Sequence, residues 1–213
     1  MSTPSDLRAR KRQATRQAIS DAATRLFIER GFDNVTVDEI AAAAHVGRMT
    51  VFNHFARKED MFFDRDEEGR ELLRAALRER DAGESPLEAL HLLAHRLVAA
   101  KSPAVEFSPR SQSFVEAIEA SDTLKARVRA LRDEFAQVLA DALSEAVGRK
   151  PGDAEAHLAG GLLLATWGAA FVQAHRVFRQ SKSTKKAEAA FLAIVDRGAA
   201  GLKAAMAGTP YDR

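Results

Sequence analysis

Apolar residues recur at helical spacing along most of the chain. In the first long stretch, Ile19, Ala22, Ala23, Leu26 and Phe27 occupy positions i, i+3, i+4, i+7 and i+8, which lie on one face of a helix. The sequence has no alternating apolar and polar run of useful strand length. The pattern predicts an all-α fold of about nine helices, at residues 7–30, 36–43, 48–55, 58–80, 86–101, 109–120, 121–147, 153–180 and 184–206.

Residues 36–55 predict two short helices joined by a tight turn. Thr36 and Glu39 have the spacing of a capping box, which predicts that a helix begins at Thr36. Val35 and Ile40 have the spacing of the hydrophobic staple that accompanies such a start. Gly47 can cap a second helix only a few residues later. Two short helices joined so closely cannot lie antiparallel, so the pattern indicates a helix-turn-helix.

In a helix-turn-helix, the start of the second helix lies in the major groove of DNA and reaches the base edges. Arg48 can pair with guanine through two hydrogen bonds, and Met49 and the methyl group of Thr50 can contact thymine methyl groups. Phosphate contacts are expected from other side chains. The candidate DNA-contacting residues are Gly47, Arg48, Met49 and Thr50 at base edges, and Thr36, Asn53, His54 and Lys58 at phosphates. Thr36 could serve only as a helix cap, but we expect it to have both roles.

The charge distribution is uneven. The first 58 residues hold ten lysines and arginines against six acidic residues, and the remainder is mildly acidic. Phosphate binding at one pole requires such a basic end, because electrostatic attraction dominates nucleic-acid affinity. A solvated basic arm would give the same composition. The N-terminal arm carries Arg8, Arg10, Lys11 and Arg12.

Composition narrows the remaining classes of function. The chain has no cysteine, which excludes disulfides, thiolate metal sites and cysteine nucleophiles and fits a reducing compartment. The start lacks the apolar core of a signal peptide, and the nearly apolar run at 158–172 is too short to cross a bilayer. We therefore expect a cytoplasmic protein with no membrane partner. The sequence offers no nucleophile–base pair and no phosphate loop, so we expect neither an enzyme nor a cofactor.

Residues 36–61, TVDEIAAAAHVGRMTVFNHFARKEDM, resemble the N-terminal signature of TetR/AcrR-type regulators. The residues that fall in register are Thr36, Ile40, Ala41, Ala44, Val46, Thr50, His54, Phe55, Lys58 and Glu59. Phe52 stands where this family usually has a tyrosine whose hydroxyl reaches a phosphate, so we expect one backbone contact to be lost.

The resemblance implies a homodimer with two domains. Residues 1–57, which include the basic arm, would bind operator DNA, and residues 58–213 would bind a small-molecule effector and form the dimer. We therefore expect a repressor that a small molecule releases from a palindromic operator. One alternative is a helical ligand-binding protein or enzyme that retains a helix-turn-helix. Another is a DNA-binding protein that works without an effector.

Aromatic residues of the C-terminal region are candidates for an effector pocket. Trp167 and Phe171 share a helix face, and Phe107, Phe114 and Phe135 could meet them. Such a cluster is ordinarily core, but the resemblance implies that it could also line a ligand pocket. Arg110 and His175 are candidate polar anchors, although surface positions would suit both.

The last two predicted helices are rich in small residues, which let helices approach closely. The candidate interface residues are Gly161, Ala165, Gly168, Ile194 and Gly198. Two such helices from each subunit could form a four-helix dimer interface. The alternative is close packing within one subunit.

His91 and His95 lie one helical turn apart and could share a metal ion. The sequence offers no evident third ligand near them. We therefore expect solvated histidines and no metal site.

Overall fold

The computed structural model describes residues 4–213, and all regular structure in this range is helical, as predicted. The start of the predicted arm, residues 1–3, lies outside the described residues. The α-helices of the described range are α1 Pro4–Arg30, α2 Val37–Ala43, α3 Arg48–His54, α4 Lys58–Phe62, α5 Asp66–Arg78, α6 Pro86–Ala99, α7 Pro109–Ala120, α8 Asp122–Ala146, α9 Ala154–Ser181 and α10 Thr184–Ala205. Two 3₁₀ helices span Phe32–Asn34 and Pro103–Val105.

The described range contains ten α-helices rather than nine, because the predicted helix at 58–80 is two helices. Helix α4 ends at Phe62, and Phe63 leaves the helical conformation with φ −109° and ψ 40°. The rings of Phe62 and Phe63 both pack against Phe114, with centroids 4.2 Å and 5.9 Å away. Neighbouring residues of a continuous helix point about 100° apart. The break lets both rings reach the same partner.

The chain forms two compact units, each with its own core. The first comprises the chain up to Arg65 together with Ser113–Val128, and the second comprises Asp66–Gln112 together with Arg129–Arg213. The first unit extends beyond residue 57 because α4 contributes Met61 and Phe62 to its core. The predicted apolar face of α1 is buried there, with Ile19, Ala23 and Phe27 fully enclosed.

The second unit is built around α9 and α10. Leu139, Leu143 and Phe191 are fully buried in its core, and Tyr211 packs there with its hydroxyl donating to Asp153, the N-cap of α9. Helix α9 is long and apolar enough to cross a membrane by length and composition alone. It also supplies eight buried residues, as the core helix of a folded unit does.

At Gly198, α10 packs closely against α9. A Cβ atom at this position would lie 2.9 Å from Cβ of Thr166 and closer still to both side-chain branches. Gly161 and Gly168 differ, because a Cβ atom at either would meet no atom within 4 Å. The internal-packing alternative therefore holds for Gly198, and we remove it from the predicted dimer interface. Ile194 is half-buried against the core of the same unit.

Gly198→Ala should destabilise the protein by about 1–3 kcal/mol, because the added methyl group overpacks the contact with Thr166. Gly201→Ala is the matched control, since it lies in the same helix and faces open space. That control should be neutral or stabilising by up to about 1 kcal/mol, the helix-propensity difference. Urea denaturation measures both. Equal stabilisation by the two substitutions would contradict the close approach.

Candidate nucleic-acid interface

Thr36 and Glu39 form the predicted capping box at the start of α2. The Thr36 hydroxyl accepts from the Glu39 N–H at 3.3 Å, and the Glu39 carboxylate accepts from the Thr36 N–H at 2.8 Å. The carboxylate also pairs with Arg30 at 2.6 Å. These contacts, with the backbone hydrogen bond from Thr36 largest and the Arg30 bond next, lower the pKa of Glu39 from 4.5 to about 2. The entry into α2 is therefore fixed by side chains as well as by packing.

The turn between α2 and α3 is tight. His45 adopts the left-handed conformation with φ 55°, and the Val46 N–H donates to the Ala41 carbonyl at 3.0 Å. Gly47 is the N-cap of α3 and makes no side-chain cap. The first N–H groups of α3 consequently have no capping side chain over them.

Helix α3 has one face in the core and one face uncovered. Val51 and the following Phe55 are buried. Met49 is 70% exposed and Phe52 is 41% exposed, although both side chains are apolar. Asn53 is also exposed, and Thr50 is half-buried. The uncovered face thus carries most of the predicted base-contacting residues, and it presents apolar groups to solvent.

Arg48 is held at the start of this face by an ion pair that sequence reasoning missed. Its Nη1 lies 2.6 Å from Oδ2 of Asp38, and its guanidinium lies 5.5 Å from the centroid of the Phe52 ring. Both partners of the pair are largely exposed. Exposed pairs contribute only about 0–1 kcal/mol. The ion pair with Asp38 therefore orients the Arg48 side chain, and breaking it costs little free energy. The only sequence signal for it is an acid in the first turn of α2.

Arg16 of α1 supports the other end of α3. Its Nη1 donates to the His54 carbonyl at 2.6 Å, and its guanidinium lies 4.0 Å from the centroid of the Phe55 ring. A cation here also suits the negative end of the helix dipole. Partial burial lowers the pKa of His54, and the charges of Arg12 and Arg16 lower it further. Near neutral pH the imidazole is therefore uncharged. The position of Arg16, three residues before Ile19 on the buried face of α1, was the available signal.

Lys58 has a role inside the first unit. Its ammonium group donates to the carbonyls of Phe32 and Val35 at 2.8 Å and 3.0 Å and lies 4.1 Å from the centroid of the Phe32 ring. Burial lowers its pKa. Two of its three N–H donors thus hold the segment between α1 and α2. A phosphate contact by the third donor stays a prediction.

The structure brings together four of the seven candidate effector residues, which lie around Phe191. The Phe107 and His175 rings are 5.2 Å apart, and Phe107, Trp167 and Phe171 each lie within 5.8 Å of the Phe191 ring centroid. The other three candidates lie elsewhere. Phe114 belongs to the core of the first unit, Phe135 packs against Gly69 and Arg70, and Arg110 is exposed.

A cavity of about 180 Å³ lies beside this cluster in the second unit. Leu163, Thr166 and Trp167 line it, together with His91 and Asp196. The indole Nε1 of Trp167 is buried and has no hydrogen-bond partner among the described residues. A buried donor without an acceptor is costly, so this N–H is an unsatisfied polar group in a residue that lines the cavity.

The segment that contains α2 and α3 is similar in sequence to known regulatory proteins. Residues 19–64 match the sequence profile described as "Bacterial regulatory proteins, tetR family". This segment, which is less than half of the chain, is similar to proteins of that family. The matched segment begins at the first buried residue of α1 and ends just beyond α4, so it coincides with the helices that carry the candidate interface.

Individual relatives are similar to part of the chain. The HTH-type transcriptional regulator TcmR of Streptomyces glaucescens is 41% identical over 91 residues, or 42% of this chain and 40% of TcmR. The chain is thus aligned with less than half the length of this relative.

Solved structures are similar in fold over most of the chain. The SmeT–triclosan complex has a TM-score of 0.56 at 21% identity and covers 88% of this chain and 91% of that one. NalD of Pseudomonas aeruginosa, described as the secondary repressor of the MexAB-OprM multidrug efflux pump, has a TM-score of 0.52 at 23% identity, with coverages of 87% and 95%. Most of the chain therefore has a fold similar to that of these two proteins.

Replacing Glu39 by Gln should change the pH dependence of stability. Because the pKa of Glu39 is about 2 in the folded chain against 4.5 ordinarily, its contribution is complete above about pH 5 and disappears as the pH falls towards 2. At pH 7 the wild type should therefore have a higher melting temperature than Glu39→Gln, and the two melting temperatures should converge at about pH 2. Calorimetry of both proteins across this range measures the difference. A constant gap at every pH would contradict the assignment.

Proposed function

We propose that the protein is a DNA-binding transcriptional repressor. In this proposal a homodimer binds a palindromic operator in the cytoplasm, and a small molecule releases it, with no enzymatic step and no cofactor. The observation that carries the proposal is the uncovered face of α3. Met49 and Phe52 are exposed there, and Arg48 makes only a weak, exposed ion pair. The alternative of a helical ligand-binding protein or enzyme with a retained helix-turn-helix gives no reason for this face to stay bare.

Free-energy differences favour a change of partner for Arg48, from the carboxylate of Asp38 to a DNA base. The exposed pair with Asp38 contributes about 0–1 kcal/mol, whereas a two-hydrogen-bond contact of arginine with guanine discriminates by about 1–3 kcal/mol. Until DNA arrives, the carboxylate also keeps the guanidinium near the N-terminus of α3. The basic side chains of the first helix add sequence-independent attraction to phosphates, since they are all exposed: Arg8, Arg10, Lys11 and Arg12.

Arg48→Ala should weaken operator binding by about 1–3 kcal/mol and spare binding to mixed-sequence DNA, because a base contact is lost. Asp38→Asn should tighten binding to every duplex, because it removes a negative charge from the face that meets phosphates. Asp133→Asn, an exposed acid of α8 in the second unit, is the control for net charge and should have a smaller effect. Fluorescence anisotropy with an operator selected from random duplexes measures all three. Wild-type discrimination by Arg48→Ala would contradict the proposal.

The second part of the proposal is the homodimer. One short helix reads only a few base pairs, so specific recognition requires two half-sites. Helix α9 leaves one apolar face exposed, with Leu158, Leu162 and Val172 uncovered, the last at 71%. The smaller side chains of the same face are Gly161, Ala165, Gly168 and Ala169. Exposed apolar surface of this kind marks a protein interface, and small residues let two copies of α9 approach closely. This face of α9 does not include Gly198, which lies on α10.

Ala165→Glu should convert the dimer into monomers, because it places a charge in the middle of the exposed α9 face. Ala130→Glu is the matched control, since Ala130 is an exposed alanine of α8 outside that face. Size-exclusion chromatography with light scattering gives the mass, and circular dichroism checks the fold. If folded Ala165→Glu remains dimeric, the interface lies elsewhere. If the wild type is monomeric, the proposal of a homodimer is wrong.

The third part of the proposal is effector binding in the second unit. The cavity beside Trp167, about 180 Å³, is smaller than the roughly 300–1,000 Å³ of pockets for drug-sized ligands. The effector is then a small compound with an acceptor for the Trp167 indole, or a larger one that displaces the aromatic cluster. A protein of similar fold is described in complex with triclosan, which supports ligand binding by this fold. This cavity also favours effector control over regulation without an effector.

A further inference from the structure

Three potential metal ligands converge between α6 and α10 of the second unit. The Nε2 atoms of His91 and His95 lie 2.8 Å and 2.7 Å from the same oxygen, Oδ1 of Asp196. The three ligand atoms all lie within 4.8 Å of one another. Asp196 is 105 residues beyond His91, so local spacing cannot reveal this third ligand. The expectation of two histidines without a third ligand is therefore wrong.

A second carboxylate lies beside His91. Oε1 of Glu88 lies 3.6 Å from Nδ1 of His91, while Asp196 faces Nε2, so each ring nitrogen has a carboxylate neighbour. A neutral imidazole has only one N–H. A metal ion on Nε2 would leave that proton on Nδ1 and direct it towards Glu88, as in carboxylate–histidine–metal sites.

We infer that His91, His95 and Asp196 bind a divalent first-row transition metal ion, with zinc as the best representative of the class. Two imidazoles and one carboxylate suit zinc, cobalt, nickel or iron, whereas calcium and magnesium prefer oxygen ligands alone. Three protein ligands leave a further coordination position for water or a small ligand. His91 and Asp196 also line the cavity beside Trp167, so the metal lies at its edge.

The geometry requires only a small adjustment. Zinc lies about 2.0–2.2 Å from nitrogen and oxygen ligands, so a tetrahedral site separates those ligands by about 3.3 Å. Each nitrogen must therefore move away from Oδ1 of Asp196 by about 0.5 Å, and the two nitrogens, which lie within 4.8 Å of each other, must reach the same separation of about 3.3 Å. Asp196 is 49% exposed and His95 is 39% exposed, so rotation of both side chains meets little resistance.

Zinc titration of the untagged, chelator-treated full chain tests the site directly. Isothermal titration calorimetry at pH 7.5 should show one zinc ion bound per chain, with an increase in melting temperature. His95→Gln and Asp196→Asn should each weaken zinc binding by at least about 100-fold, and Glu88→Gln, which does not contact the metal, by about 10-fold. Cobalt substitution should give the visible spectrum of a four-coordinate site in the wild type but not in His95→Gln or Asp196→Asn.

His157→Gln is the matched control. Its imidazole is exposed on α9, where its nitrogens lie near the Asp153 carbonyl and the Gln137 side chain, so this variant should bind zinc like the wild type. Asp196→Asn keeps an oxygen for the two imidazoles, and circular dichroism will verify its fold. The inference is overturned if the wild type shows no saturable zinc binding, or if folded His95→Gln and Asp196→Asn retain wild-type affinity. The result does not depend on DNA binding.

Discussion

The candidate interface depends on the burial of one side of a very short helix. Helix α3 has seven residues, and an isolated helix of that length is not stable in water. Its conformation is maintained because Val51 and Phe55 are buried in the core of the first unit. Arg16 adds a hydrogen bond and a ring contact at its C-terminal end. The core thereby fixes the direction of the opposite face, so that Arg48 and Met49 remain in solvent without losing their orientation.

The same core explains which local signals in the sequence were reliable. The capping box at Thr36 and Glu39 formed as predicted, because both members lie within one turn of each other and need no distant partner. The apolar face of α1 was likewise readable from spacing alone. The break after Phe62 was not, because it depends on Phe114, which approaches only in the folded chain. Local rules predicted helices well and missed contacts between distant segments.

Long-range contacts also decided the roles of individual site residues. Lys58 was predicted to contact phosphate, but its bonds to Phe32 and Val35 depend on the path of the chain before α2. Gly198 and Gly168 look alike in sequence, yet only Gly198 faces a neighbouring helix. Asp196 reaches His91 across 105 residues. In each case the residue type was visible in the sequence and the partner was not, because the partner is set by packing.

The central claim is that two copies of α3 read a two-fold symmetric site. Selection of bound duplexes from a random pool by the purified wild-type protein, followed by analytical ultracentrifugation of the selected complex, tests it most directly. The account predicts an inverted repeat with half-site centres about one helical turn of DNA apart, or a multiple of that spacing, and an even number of chains per duplex. Enrichment of no sequence, or of a single asymmetric site bound by one chain, would contradict it.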